Sequence, residues 1–83
     1  NIESIDPLAF QDLNFLKELI LKNNYIKTIS TETFSNLKNL VVLDLSNNII
    51  GNIEKDSFKY MSKLEKLDLS SNRVQQNLEL DLP

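Results

Sequence analysis

One pattern, L-x-x-L-x-L-x-x-N-x-I/V, occurs three times in this chain at a constant displacement of 24 residues. It runs through Leu16, Leu19, Leu21, Asn24 and Ile26, then Leu40, Leu43, Leu45, Asn48 and Ile50, then Leu64, Leu67, Leu69, Asn72 and Val74. A period of this size means that each unit buries its apolar side against the next one, so a stack of units is expected in place of a single-centred globule. The 83 residues hold about three and a half units, read as one segment over residues 1–83 and as a fragment of a longer array.

Within each unit the L-x-L alternation has the period of a strand, which puts Leu19 and Leu21 on one face and Ile20 on the other. Strands are therefore expected near 17–22, 41–46 and 65–70. Equivalent positions in successive units need a crossover between them, so neighbouring strands run parallel. The second half of the unit, with Ile29 and Ile53 matching Ile5, Phe34 and Phe58 matching Phe10, and Leu37 and Met61 matching Leu13, widens to I-x-x-I-x-x-x-x-F-x-x-L. That spacing predicts a turn followed by short helical or 3₁₀ pieces on the outer side. Asp6-Pro7 reads as a capping acid before a proline at the first helical position; Ser30 occupies the Asp6 position and is expected to cap likewise, and Glu54 to cap poorly. Phe10, Phe34 and Phe58, one per unit, read as a core spine.

Taken whole, the unit resembles the typical 24-residue subtype of leucine-rich repeat, as found in Toll-like receptor ectodomains, Slit-type guidance proteins and small proteoglycans. The resemblance covers nearly the whole chain. It implies an α/β solenoid, a right-handed coil with a concave parallel β-sheet and short 3₁₀, helical or irregular convex returns. It implies that Asn24, Asn48 and Asn72 form a structural ladder, their buried amides serving backbone groups where the chain leaves each strand. It also implies a protein-recognition module whose partner is a protein ligand or co-receptor. The compartment implied is extracellular, in a secreted or cell-surface receptor ectodomain, with innate immunity and cell adhesion as the roles; a cytoplasmic array is the alternative.

Composition narrows the chemistry further. There is no cysteine and no histidine, which removes disulfide staples, thiolate nucleophiles, zinc sites and imidazole bases. Net charge −3 argues against nucleic acid or an anionic membrane surface as partner, since both need a basic face. No apolar run is long enough to insert in a membrane, and no Asn-x-Ser/Thr acceptor occurs. Gly51 is the only glycine, so there is no Gly-rich phosphate loop. No catalytic residue, cofactor site or metal site is expected, and the chain does not read as an enzyme.

The letters between the strand leucines carry whatever specificity there is. On the concave face these form rows about 4.8 Å apart: Glu18, Val42, Lys66; Ile20, Asp44, Asp68; and Lys22, Ser46, Ser70. Asn23, Asn47 and Ser71 are placed on the same face. Ile20, Val41 and Val42 are apolar where water is expected, and a small apolar patch rimmed by Glu18, Lys22 and Asp44 has the makeup of a protein contact. Glu18, Ile20, Lys22, Val42, Asp44, Lys66 and Asp68 are accordingly the candidate partner-binding residues, unless the segment is only a structural spacer between binding repeats. Asp44 and Asp68 on neighbouring strands are the one pairing with a hint of hydrolytic chemistry. An open sheet face offers no cleft to raise one acid's pKa, and two carboxylates fall short of the ligands calcium needs. At the ends, Asn1 opens the chain in mid-repeat, and Leu78, Leu80 and Leu82, with Asn77 at an isoleucine position, suggest an extended closing segment stopped by Pro83. Neither end reads as a polar cap, so self-association through the ends is expected.

Overall fold

The computed structural model describes residues 2–74. Along them lie β1 (Glu18–Ile20), β2 (Thr28–Ile29), β3 (Val42–Asp44), β4 (Asn52–Ile53) and β5 (Lys66–Asp68). β1, β3 and β5 make a three-stranded parallel sheet, and β2 and β4 make a second, two-stranded parallel sheet. Every strand pairs with its equivalent 24 residues away, Leu19 beside Leu43 beside Leu67 and Ile29 beside Ile53. The strands occupy the central three residues of each stretch marked out by the leucines. The second sheet was not anticipated. The I-x-x-I spacing hides it, because one isoleucine turns the chain inward and only two residues then extend.

No helix forms on the returns of the described residues. Each return is a string of single turns, closed in the first unit by Ala9, Gln11, Leu13 and Leu16 donating to the carbonyls three residues back. The same four bonds recur at Thr33, Ser35, Leu37 and Leu40, and again at Ser57, Lys59, Met61 and Leu64. Two or three residues separate successive bonds, so the turns do not run together into the helical pieces expected from the spacing. The caps also differ in part. The Leu8 N–H donates to Asp6 Oδ1 at 2.8 Å, as an N-cap does. Ser30 Oγ instead meets Thr33 Oγ1 at 2.8 Å. Glu54 reaches back one unit and accepts the Thr31 N–H at 2.7 Å, while Thr31 Oγ1 donates to the Lys55 carbonyl at 2.7 Å. Above all the backbone bond from Thr31 holds the Glu54 carboxyl below its ordinary pKa.

Between the sheets and returns, Phe10, Phe34 and Phe58 stack with ring centroids 6.1 and 6.2 Å apart. Around them Leu37, Leu40, Leu43, Leu45, Ile26, Ile50 and Met61 are sealed from water. Burying each such side chain contributes roughly 1.5–3 kcal/mol. In the first unit Ile5, Phe10, Leu13, Leu16 and Leu19 pack on the same core but are only half-buried. The segment expected around Asn77, Leu78, Leu80, Leu82 and Pro83, and the placement of Asn1, lie outside the described residues.

Asn48 shows what holds one unit to the next. Its Oδ1 accepts the Ile26 N–H at 3.0 Å, and its Nδ2 donates to the carbonyls of Leu21 and Leu45, each at 3.0 Å, and of Ser46 at 3.2 Å. Asn72 repeats the arrangement on Ile50, Leu45, Leu69 and Ser70, and Asn24 on Ile2, Leu21 and Lys22. Just before each of these residues the backbone enters the left-handed region, at Asn23 (φ 62°), Asn47 (φ 55°) and Ser71 (φ 57°). Asparagine tolerates that conformation and serine less so. These three residues therefore turn the chain off the sheet and do not extend its face, contrary to their placement by strand alternation.

Asn48→Ala strands a buried N–H and buried carbonyls and should cost about 3 kcal/mol in urea unfolding, against about 1 kcal/mol for the half-buried Asn24→Ala. Ser71→Asn supplies the residue that suits the left-handed turn and should raise stability by roughly 0.5 kcal/mol in the same assay.

Candidate functional site

The open face of the three-stranded sheet brings most of the candidate residues into register. Glu18, Val42 and Lys66 form one row, and Ile20, Asp44 and Asp68 the next. Ile20 is 56% exposed although it is apolar and sits in a strand. Val42, Asp44 and Asp68 are half-buried, and Glu18, Lys22 and Lys66 are exposed. The Lys22, Ser46, Ser70 row lies beyond the strands, and its middle member is lost to a partner, since Ser46 is only 4% exposed.

Strict alternation fails at the start of the face. The N–H groups of Val41 and Val42 both donate to the Lys17 carbonyl, at 2.7 and 3.1 Å, and those of Glu65 and Lys66 both donate to the Val41 carbonyl, at 2.9 and 3.0 Å. Two successive N–H groups thus share one carbonyl where β3 and β5 begin, while the 24-residue register is kept. This leaves both letters between the leucines outside the core: Val41 and Val42 are half-buried between the fully buried Leu40 and Leu43. Lys17 with Glu18, and Glu65 with Lys66, are exposed at the equivalent places. The signal was present in the sequence as two consecutive non-leucine letters between Leu40 and Leu43, where a regular strand would turn one of them inward.

The aspartates are not free solvated acids. Asp44 Oδ1 accepts both the Ser46 N–H at 2.9 Å and the Ser46 hydroxyl at 2.6 Å. Asp68 holds Ser70 in the same way, at 3.0 and 2.6 Å. The Asp-Leu-Ser tripeptide thus fastens the end of the strand before the left-handed residue, a local side-chain-to-backbone device. The first unit has Ile20-Leu21-Lys22 there and lacks it. These bonds, the hydroxyl first, pull the Asp44 carboxyl below its ordinary pKa against opposition from burial and from Asp68, with Lys22 helping. Ser70 does the same for Asp68, with Lys66 and Lys22 adding to it. Two carboxyls both held ionised divide no acid and base roles between them, which a glycosidase pair requires. Among the described residues no group of three or more acidic side chains is placed to hold a metal ion.

A carboxyl with a depressed pKa in the folded state stabilises the fold above the unfolded aspartate's pKa, and that contribution is lost as pH falls through the lower, folded value. Acid should therefore weaken the fold below about pH 4. Ser46→Ala should raise the Asp44 titration midpoint in carboxyl-detected NMR and leave Asp68 nearly unmoved, and Ser70→Ala should do the reverse. Equal movement of both carboxyls in either variant would show that charge repulsion between them, and not the hydroxyls, sets their titration.

Comparison with curated proteins finds no match to this chain. The family described as leucine rich repeat matches it over residues 1–50 and again over 38–79. Repeats of this kind stack into solenoid-like folds and generally mediate protein–protein interaction. The asparagine ladder, the phenylalanine spine and the in-register parallel strands are the physical content of that match, and the chain belongs to the leucine-rich-repeat family.

Proposed function

We propose that this chain is a protein-recognition segment of a larger leucine-rich-repeat ectodomain of the typical 24-residue subtype, coiled right-handed with the three-stranded sheet on its concave side. It binds a protein ligand or co-receptor through Glu18, Ile20, Lys22, Val42, Asp44, Lys66 and Asp68. The extracellular or cell-surface setting, and a receptor role in innate immunity or adhesion, belong to the same reading and draw on the resemblance of the repeat. It acts as a binding module and not as a catalyst.

The observation that carries this reading is Ile20. More than half of its surface is open, and it lies diagonal to Val42 on the neighbouring strand, with charged side chains on either side. Folding gains nothing from an isoleucine there beyond strand propensity, whereas a partner gains an apolar anchor within a polar rim. The ladder asparagine Asn48, the strand leucines Leu43 and Leu45 and the spine residues Phe34 and Phe58 are committed to the stack and have almost no side-chain surface to spare.

A photo-crosslinking amino acid at position 20 tests the assignment, with the same group at Lys59 on the return as reference. A protein captured from position 20 and not from position 59 is the expected outcome. Ile20→Asp combined with Val42→Asp should then weaken binding of that protein about tenfold or more, as for a contact centre. Unchanged affinity in the double variant would make the segment a spacer that only sets the stacking of binding repeats elsewhere.

A further inference from the structure

The six side chains at the start of the face have an internal symmetry. In strand order they read Lys17-Glu18, Val41-Val42 and Glu65-Lys66. The outer pairs are exposed, the valines half-buried, and all six stand between inward-facing leucines. Their charges sum to zero, so the patch exerts no net pull on a strongly acidic or strongly basic ligand. What it matches is itself. Turn a copy over about a two-fold axis lying in the face and perpendicular to the strands. Strand then lies over like strand in the opposite direction, and the two positions of each pair exchange places.

We propose that a second copy of this chain docks on this face in that orientation. Lys17 then meets Glu18 of the second copy, Glu65 meets Lys66 of the second copy, and Val41 meets Val42 at the centre. Each contact occurs twice, as a two-fold interface requires. The proposal rests on the reading of this face as a contact surface and names its occupant.

The surroundings of the six residues select between the two axes that satisfy the charges. An axis along the strands would also pair Lys17 with Glu65 and Glu18 with Lys66. It would, however, set Asp44 against Asp44 and Ile20 against Asp68. The perpendicular axis carries Ile20, beyond one end of the patch, toward Phe15, which lies in the turn beyond the other end and is 68% exposed. It also carries Asp68 toward Lys63, whose Nζ already reaches Asn39 Oδ1 at 2.9 Å. Among the surrounding residues, apolar meets apolar and acid meets base only on the perpendicular axis. Three strands spaced about 4.8 Å apart give a small interface, so the association is weak and reversible.

Sedimentation of the full chain over a concentration series tests this, with circular dichroism as the control for folding. The wild type should form a dimer that weakens as salt rises. Lys17→Glu places like charges opposite each other twice and should weaken the dimer about tenfold. Adding Glu18→Lys to Lys17→Glu should restore it, because the two positions face one another across the perpendicular axis. The proposal is overturned if the wild type stays monomeric to millimolar concentration, if Lys17→Glu dimerises as well as wild type, or if Glu65→Lys rescues Lys17→Glu where Glu18→Lys does not. Association that strengthens with salt and ignores these charges would also overturn it, since that is how exposed apolar ends behave. A monomeric chain that still crosslinks a different protein from position 20 would refute the self-docking and leave the recognition reading standing.

Discussion

Each unit of this chain leaves its strand at a point where the backbone must turn while N–H and C=O groups are being buried. Water cannot serve those groups, and the neighbouring unit's backbone cannot reach all of them. The ladder asparagine supplies both an acceptor and two donors at that point. Asn48 takes the Ile26 N–H and gives to Leu21 in the unit before it, while also serving Leu45 and Ser46 in its own unit. A single side chain thereby closes the local turn and fastens it to the preceding coil. With these bonds in place, no buried side-chain polar atom among the described residues lacks a partner.

The leucines depend on this arrangement as much as the asparagines do. Parallel pairing keeps Leu19, Leu43 and Leu67 in one row only if every unit turns at the same place. The left-handed residue at Asn23, Asn47 or Ser71 sets that place, and the asparagine after it holds it. A slip by one residue would carry the leucines to the wrong side of the sheet. Phenylalanine stacking at 6.1 and 6.2 Å on the return side then follows from the same register, since equal units place their rings at equal heights.

The repeat made this architecture legible from the letters alone, because eight positions per unit bury or bond in a fixed phase. What escaped the sequence were features set by backbone direction and not by side-chain class. The two-residue strands at Thr28–Ile29 and Asn52–Ile53 are too short to show an alternation. Asn23 looks like any polar strand residue until its φ is known. The doubling at Val41-Val42 breaks the alternation that placed the face. Asp44 and Asp68 were legible as surface acids but not as partners of Ser46 and Ser70, although Asp-Leu-Ser written twice at the same phase was a usable sign. For the candidate site, the row membership of Glu18, Val42, Lys66, Ile20, Asp44 and Asp68 could be read, and the work each does inside its own strand could not.

That difference bears on which positions of the face are free to vary. At the fifth and seventh positions of the second and third units, aspartate and serine are tied to each other and to the end of the strand. Changing either alters a turn before it alters a contact. The first unit, held at the same point by Leu21 and Asn23 donating to Asp44 and Ser46 carbonyls of the next unit, has no such tie and carries Ile20 and Lys22 there. The pair that opens each strand carries no such tie; in the second and third units its N–H groups are satisfied by a carbonyl of the preceding unit whatever the side chain. Charge and apolarity can be written into Lys17-Glu18, Val41-Val42 and Glu65-Lys66 without disturbing the coil. Those strand-opening pairs and Ile20 are the places on the sheet where the turn at the strand end asks nothing of the side chain, and the proposed recognition draws on them.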